Sequence, residues 1–263
     1  MNKKIKKILN KKNKTKIVSL TAYSKSVAKI LDKFCDIILV GDSMANVLYG
    51  HNNTHSISIE TIIQHTRSVK KGVKKSLLVV DMPKGTYKNI SLAKKNAKKI
   101  MKLTNCDAIK IENNNKNFNV ISKLVKSNIP VMGHIGYTPQ FKKKFKVEGS
   151  TSSEEKRLIN EAVKIERAGA FSIVLECITA GAAKKITKKL MIPTIGIGSS
   201  NYCDGQILVT DDMVGLSGFY PKFVKKYANL IRVIEKAVKK YTTEVKQNRF
   251  PKTNHFLNGR KPR

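Results

Sequence analysis

Tryptophan is absent from this 263-residue chain, and Phe, Tyr and Trp together make up only 6% of it. Acidic residues are scarce too: 18 Asp and Glu stand against 52 Lys and Arg, a formal net charge of +34. Only seven of those cations are arginines. Proteins that read bases and phosphates lean on arginine forks and stacked rings. The excess instead runs from end to end beside abundant Asn and Ile, as AT-rich codons would dictate. It reads as a solvated lysine surface, with a nucleic-acid-binding protein as the alternative of another class. The four cysteines, Cys35, Cys106, Cys177 and Cys203, form no CxxC pair, which argues against a zinc ribbon, a redox dithiol or a disulfide framework. No apolar run approaches the ~20 residues of a membrane span. The basic start MNKKIKKILNKKNKT lacks the apolar segment that follows it in a signal peptide. The expectation is a cytoplasmic protein with neither a membrane nor a specific nucleic-acid partner.

At 41% hydrophobic the chain can bury a full core. Eight short β-branched runs recur along it: 17–23, 37–43, 77–83, 108–112, 130–136, 172–177, 193–199 and 206–213. Helical spacing of apolar residues fills most of the gaps, as in 24–34, 58–72, 91–105 and 152–169, the last capped by Ser152 or Ser153. Strands alternating with helices predict a parallel sheet, and eight units predict a (β/α)8 TIM barrel. The interval 200–205 is too short for a helix. Residues 1–16 read as a basic N-terminal arm, mobile over the dense lysine run 3–14. Residues 17–246 read as the catalytic barrel with its C-terminal helix, and 247–263 as a tail. The stretch 222–245 carries apolar residues at helical spacing, the pattern of a last helix packed on the barrel or on a neighbouring subunit.

Five successive strands end in polar side chains: Asp42 and Ser43, Asp81, Lys110 and Glu112, His134, and Glu176. Carboxyl ends of barrel strands are where active sites are built, and a charge just past a Val/Ile run needs a partner or a ligand. Asp42 and Asp81 are candidate ligands for a hard cation such as Mg²⁺, with Glu112 behind them. Lys110 lies two residues from Glu112, on the same side of the strand. That neighbour favours an ion-pairing ammonium over a Schiff-base amine. Glu176 is the candidate proton acceptor, and His134 is a secondary candidate. Each residue alone also has an ordinary role: a loop cap for Asp42, a turn before Pro83 for Asp81, a salt bridge between Lys110 and Glu112 or Glu176, and a satisfied core histidine. Segment GIGSS holds only part of a dinucleotide-binding glycine pattern.

The segments LTAYSKSVAKI, LVGDSMANVLYGHNNT, LLVVDMP, IKIE, PVMGHIGYTPQ, VLEC, IPTIGIGSS and DGQILVTDD follow one another in a familiar order. In them the chain resembles the ketopantoate (3-methyl-2-oxobutanoate) hydroxymethyltransferase family. The resemblance implies a (β/α)8 barrel, Mg²⁺, a 2-oxo acid substrate (3-methyl-2-oxobutanoate) and 5,10-methylenetetrahydrofolate as co-substrate. It also implies a homo-oligomer, a decamer in the family. Carried over residue by residue, it makes Asp42, Asp81 and Glu112 the metal environment. Asp42, Ser43, Asp81 and Lys110 become the oxo-acid contacts, and Glu176 the base. Another Mg²⁺-dependent 2-oxo acid aldolase or lyase on the same barrel is the alternative. The chain departs from the family in two places. FKKKFKVEGS replaces a longer glycine-paired loop and puts Ser150 where arginine is usual, and Ser200 stands for a glycine.

Overall fold

Eight parallel strands close into one barrel in sequence order. They are β1 (Ile17–Thr21), β2 (Ile37–Val40), β3 (Leu77–Asp81), β4 (Ala108–Glu112), β5 (Val131–Gly136), β6 (Ser172–Glu176), β7 (Thr194–Ile197) and β8 (Gly205–Leu208), and β8 pairs back onto β1. The computed structural model describes residues 2–114, 117–142, 144–218 and 220–257, so the last six residues of the expected tail lie outside it. The helices are α1 (Lys3–Leu9), α2 (Lys25–Leu31), α3 (Met44–Val47), α4 (Ile59–Lys70), α5 (Ile90–Thr104), α6 (Phe118–Val125), α7 (Ser152–Arg167), α8 (Ala180–Lys189), α9 (Thr210–Met213) and α10 (Leu230–Lys246). Side-chain caps start several of them: Ser24 accepts from Val27 N, Ser58 from Thr61 N and Asn89 from Leu92 N. The cap of α7 is Thr151, one residue before the serines expected to cap it. Between β7 and β8 a tight turn replaces a helix, as the short interval requires.

The strand pleat sorts the core into two layers. Outward-facing Ile38, Val40, Leu78, Val80, Ile109 and Ile111 pack against the helices. Inward-facing Ile37, Leu39, Leu77, Val79, Ala108, Met132 and Val174 fill the lower barrel. Two residues further along the same inward rows stand Asp81, Lys110, His134 and Glu176. Each row therefore turns from hydrocarbon to charge as it approaches the carboxyl ends.

The lysine-rich start is not a mobile arm. Asn2 caps α1, and Ile5 and Ile8, three residues apart on one face, are buried in the inner cluster. Burial of these two side chains outweighs the charge of the surrounding lysines, whose heads reach acceptors: Lys4 Nζ lies 2.8 Å from Ser76 O and Lys12 Nζ 2.8 Å from Asp204 Oδ2. The helix plugs the amino-terminal mouth of the barrel.

The chain divides into two compact units, Met1–Thr210 with the whole barrel and Asp211–Arg263. In the second unit α10 has no buried residue, and Ile234, Val238, Tyr241 and Val245 form an exposed apolar stripe. Among the described residues no helix is long and apolar enough to cross a membrane.

Candidate active site

All the polar residues singled out at the ends of strands 2 to 6 converge at the carboxyl mouth of the barrel. Asp81 closes β3, Lys110 and Glu112 lie on β4, His134 on β5, and Glu176 ends β6. Asp42 and Ser43 follow β2 in a turn that begins at Gly41. A Cβ there would meet Ser43 Oγ at 3.0 Å and Asp81 Oδ2 at 3.3 Å, so glycine lets the turn approach β3. That approach brings Asp42 N to 3.1 Å from Asp81 Oδ2. Lys110 Nζ donates to Asp81 Oδ1 at 2.6 Å. Ser43 Oγ lies 2.9 Å from Tyr23 Oη. His134 sits between two glutamates, with Nε2 3.2 Å from Glu176 Oε2 and Nδ1 3.7 Å from Glu112 Oε1, neither in hydrogen-bonding geometry. Gly136 stands beside Glu176 in register, and at φ +91° a Cβ would fall 2.1 Å from Glu176 O. Only glycine fits there.

Within this cluster the carboxyls of Asp42, Asp81, Glu112 and Glu176 share the ammonium of Lys110. The imbalance shows in the titration of Asp42, Glu112 and Glu176. Burial, with the charge of Asp81 added, pushes Asp42 up to about 7 against the pull of Lys110 and Gln140. Burial and the Asp42 charge push Glu112 well above the usual carboxylate range. Burial pushes Glu176 up to about 8, with Lys110 opposing. Lys110 moves the other way. Burial works against its charge, yet Asp81, Glu112 and Asp42 together hold it above its ordinary value, so it is an ammonium. Burial and the repulsion of Lys110 hold His134 well below its ordinary value, in the neutral form.

An oxygen-only set with surplus negative charge fits a hard divalent cation such as Mg²⁺, which keeps several waters and takes one or two carboxylates. Asp42 and Asp81 lie side by side within it, Asp42 N 3.1 Å from Asp81 Oδ2. Among the described residues no three His, Cys, Asp or Glu side chains form a ready-made cluster for one ion. Glu112 is engaged elsewhere, accepting from Gln140 N at 3.0 Å through Oε2.

Gln140 and Tyr87 are the participants that sequence reasoning passed over. Gln140 is 1% exposed and reaches into the carboxylate cluster from the loop after β5. The segment GHIGYTPQ was conspicuous, but nothing in a loop glutamine signals an inward course. The departures from the family pattern are accommodated locally. Ser150 N and Oγ both donate to Glu154 Oε2 at 3.1 Å at the start of α7. Ser200 O accepts from Gln206 Nε2 at 2.7 Å in the turn before β8.

Solved structures share the barrel. A 2,3-dimethylmalate lyase of the PEP mutase/isocitrate lyase superfamily superposes with a TM-score of 0.61 at 12% identity, covering 98% of this chain and 93% of that one. A phosphonopyruvate hydrolase crystallised with oxalate and Mg²⁺ gives 0.59 at 12% identity, covering 97% and 92%. At such identity these likenesses show the fold alone. Sequence relatives are much nearer. The 3-methyl-2-oxobutanoate hydroxymethyltransferase of Pelagibacter ubique (strain HTCC1062) is 50% identical over 255 residues, 97% of this chain and 99% of that protein. Its namesake from Thermosipho africanus (strain TCF52B) is 47% identical over 264 residues, 98% and 99% of the two. The family profile described as ketopantoate hydroxymethyltransferase matches residues 2–253. On that near-complete coverage, the chain belongs to the ketopantoate hydroxymethyltransferase family.

Proposed function

We propose that this enzyme transfers a hydroxymethyl group from 5,10-methylenetetrahydrofolate to 3-methyl-2-oxobutanoate, giving 2-dehydropantoate, the first committed step of pantothenate and coenzyme A biosynthesis. The observation that carries the reading, beyond family membership, is the set of buried carboxyls around Lys110, with Glu176 the most open of them. The Glu176 side chain is 18% exposed, against 2% for Glu112 and 4% for Asp81. A base that must meet substrate belongs at that edge.

The oxo acid has a weakly acidic C3–H beside its ketone. Lys110 offers a permanent positive charge to the substrate carboxylate, and Ser43, held by Tyr23, offers a hydroxyl beside it. Fixing that end presents one face of C3 to the electrophile. Asp42 and Asp81, with Glu112 behind them, would hold a Mg²⁺ ion, which when bound would supply Lewis-acid stabilisation of the developing enolate charge. Glu176, pushed up to about 8 by burial, takes the C3 proton in its ionised form, which a bound cation would favour. His134, neutral and 3.2 Å from Glu176 Oε2, can turn an N–H toward that carboxylate and steady it. One carbon–nitrogen bond of the folate's methylene bridge breaks to leave an iminium carbon. The proton held by Glu176 passes to the freed nitrogen, and the carbanionic C3 bonds to that carbon. Water then supplies the hydroxyl as the second carbon–nitrogen bond breaks, its other hydrogen going to that nitrogen, and tetrahydrofolate is released.

The test is exchange of the C3 hydrogen of 3-methyl-2-oxobutanoate in D₂O with Mg²⁺, followed by NMR, beside product formation with and without the folate. Glu176→Gln should lose at least ~10²-fold in exchange, the effect of removing a positioned general base. Near-normal exchange in that variant would move the base elsewhere. Product formed equally well from free formaldehyde would favour the aldolase reading. The exposed stripe on α10 supports a homo-oligomer, to be checked by sedimentation of the full chain.

A further inference from the structure

We infer that Gln140 is a positioning residue for this reaction: its amide selects which oxygens of Asp42 and Glu112 are turned toward the substrate and its metal. The inference rests on the function proposed above.

Gln140 joins the tips of three successive strands. Its backbone N–H donates to Glu112 Oε2 at 3.0 Å, and Nε2 donates both to Asp42 Oδ2 at 2.8 Å and to Met82 O at 3.0 Å. Its Oε1 accepts from Tyr87 Oη at 2.5 Å. Chemistry dictates the orientation of the amide. Met82 O is a carbonyl and the ionised Asp42 carboxylate has no proton, so the NH₂ faces them and the carbonyl faces the hydroxyl. Both Nε2 protons and the carbonyl are thereby engaged in a fully buried setting, where leaving one unpaired is costly.

The selection follows from that pattern. With Oδ2 tied to the amide, Asp42 presents Oδ1. With Oε2 tied to the backbone N–H, Glu112 presents Oε1 on the side of His134. Asp81 accepts one bond on each oxygen, from Asp42 N and from Lys110 Nζ, and each oxygen keeps a second lone pair. A glutamine does this without altering the charge of the cluster. Glutamate would add a fifth carboxyl, lysine would cancel charge that a cation needs, and asparagine is one methylene too short. The loop carrying Gln140 is itself pinned, with His55 Nε2 3.0 Å from Pro139 O.

The experiment measures Mg²⁺ binding to the full-length, substrate-free chain by calorimetry, together with C3 exchange at saturating Mg²⁺. Gln140→Ala should weaken Mg²⁺ binding about 10–100-fold, the range for groups that orient metal ligands. It should also lower the maximal exchange rate more than it raises the KM for the oxo acid. Tyr87→Phe removes only the hydroxyl that faces Oε1, so it should move the same quantities in the same direction by a smaller factor, and it decides the matter if Gln140→Ala does not fold. A purely structural role would lower the melting temperature and leave Mg²⁺ affinity unchanged. Variants that bind Mg²⁺ and exchange within about twofold of the wild type would overturn the inference while the proposed function stood. A wild type that neither binds Mg²⁺ nor exchanges the oxo acid would overturn both.

Discussion

At the amino-terminal mouth of the barrel, Asp36, Asp107 and Asp204 each stand one residue before a strand, and each meets a lysine from the start of the chain. Lys11 reaches Asp36 at 2.7 Å, Lys4 reaches Asp107 at 3.3 Å and Lys12 reaches Asp204 at 2.8 Å. Beside them Asp32 accepts from the backbone N–H groups of Lys74, Lys75 and Ser76. Burial pushes its carboxyl up, but those donors outweigh it and hold the group below the usual range. At the carboxyl mouth the arrangement is inverted, with Asp42, Asp81, Glu112 and Glu176 around Lys110. One mouth satisfies its carboxylates and gains stability. The other leaves them in excess, a local cost that the proposed function turns to use, since a cation and an anionic substrate would offset it together.

The largest effect that would break this contrast is on turnover. Asp42→Asn keeps shape and an acceptor for Gln140 but removes the charge proposed to hold the metal, so several kcal/mol of stabilisation should vanish, about 10³-fold in rate. At pH 8 the metal-free variant should melt at or above the wild-type temperature, because a buried charge opposed by Asp81 is gone. A lower melting temperature with retained activity would reverse the assignment of the two mouths. Next in size is Leu77→Ala in the inner hydrocarbon layer. Cavity formation there should cost about 2–5 kcal/mol, read by urea denaturation, with kcat/KM within about twofold of wild type.

Acidity sharpens the comparison further. Asp42 and Glu176 hold protons more tightly folded, at about 7 and about 8, than at their ordinary 3.8 and 4.5. The folded chain then binds more protons than the unfolded one, so their contribution is full at low pH and is lost as pH rises through those values. Asp32, held low, acts oppositely: its contribution is present above its ordinary value and is lost as pH falls through the depressed one. Melting in EDTA should therefore show stability falling between pH 5 and pH 8.5. The slope should flatten in an Asp42→Asn/Glu176→Gln double variant, and parallel slopes would refute this. The smallest effect belongs to Lys11→Ala. Its partly exposed pair should be worth no more than about 1 kcal/mol, checked by the same melts.

Most of the barrel is legible in the sequence because each strand is a β-branched run and each run pairs with the next. The polar ends were legible for a related reason: a charge in register with an inward hydrocarbon row, as Asp81 follows Leu77 and Val79, has to be accounted for. The family resemblance then attached roles that spacing alone left open. What resisted reading shares one property, a position fixed by distant contacts. Gln140 lies beyond its strand with no periodicity to orient it, and Tyr87 looks like any loop tyrosine. Ile5 and Ile8 are concealed among lysines, so a helical plug resembles a free arm. Thr151 and Ser152 are equally good caps on paper, and the path of the preceding loop decides between them.

The pairing of β8 with β1, reinforced by Lys12 and Asp204, has a consequence for how the molecule is made. Ile17 waits for Gly205, and the plug at the base waits for the same strand. At ribosomal rates of ~5–20 residues per second, roughly 190 residues of synthesis separate the two, about 10–40 s. Throughout that interval the nascent sheet carries two open edges and an apolar, lysine-flanked leader with nothing to sit on. A chain on a ribosome stalled before β8 has emerged holds an unclosed sheet, and one whose β8 has cleared the ribosome can close the barrel.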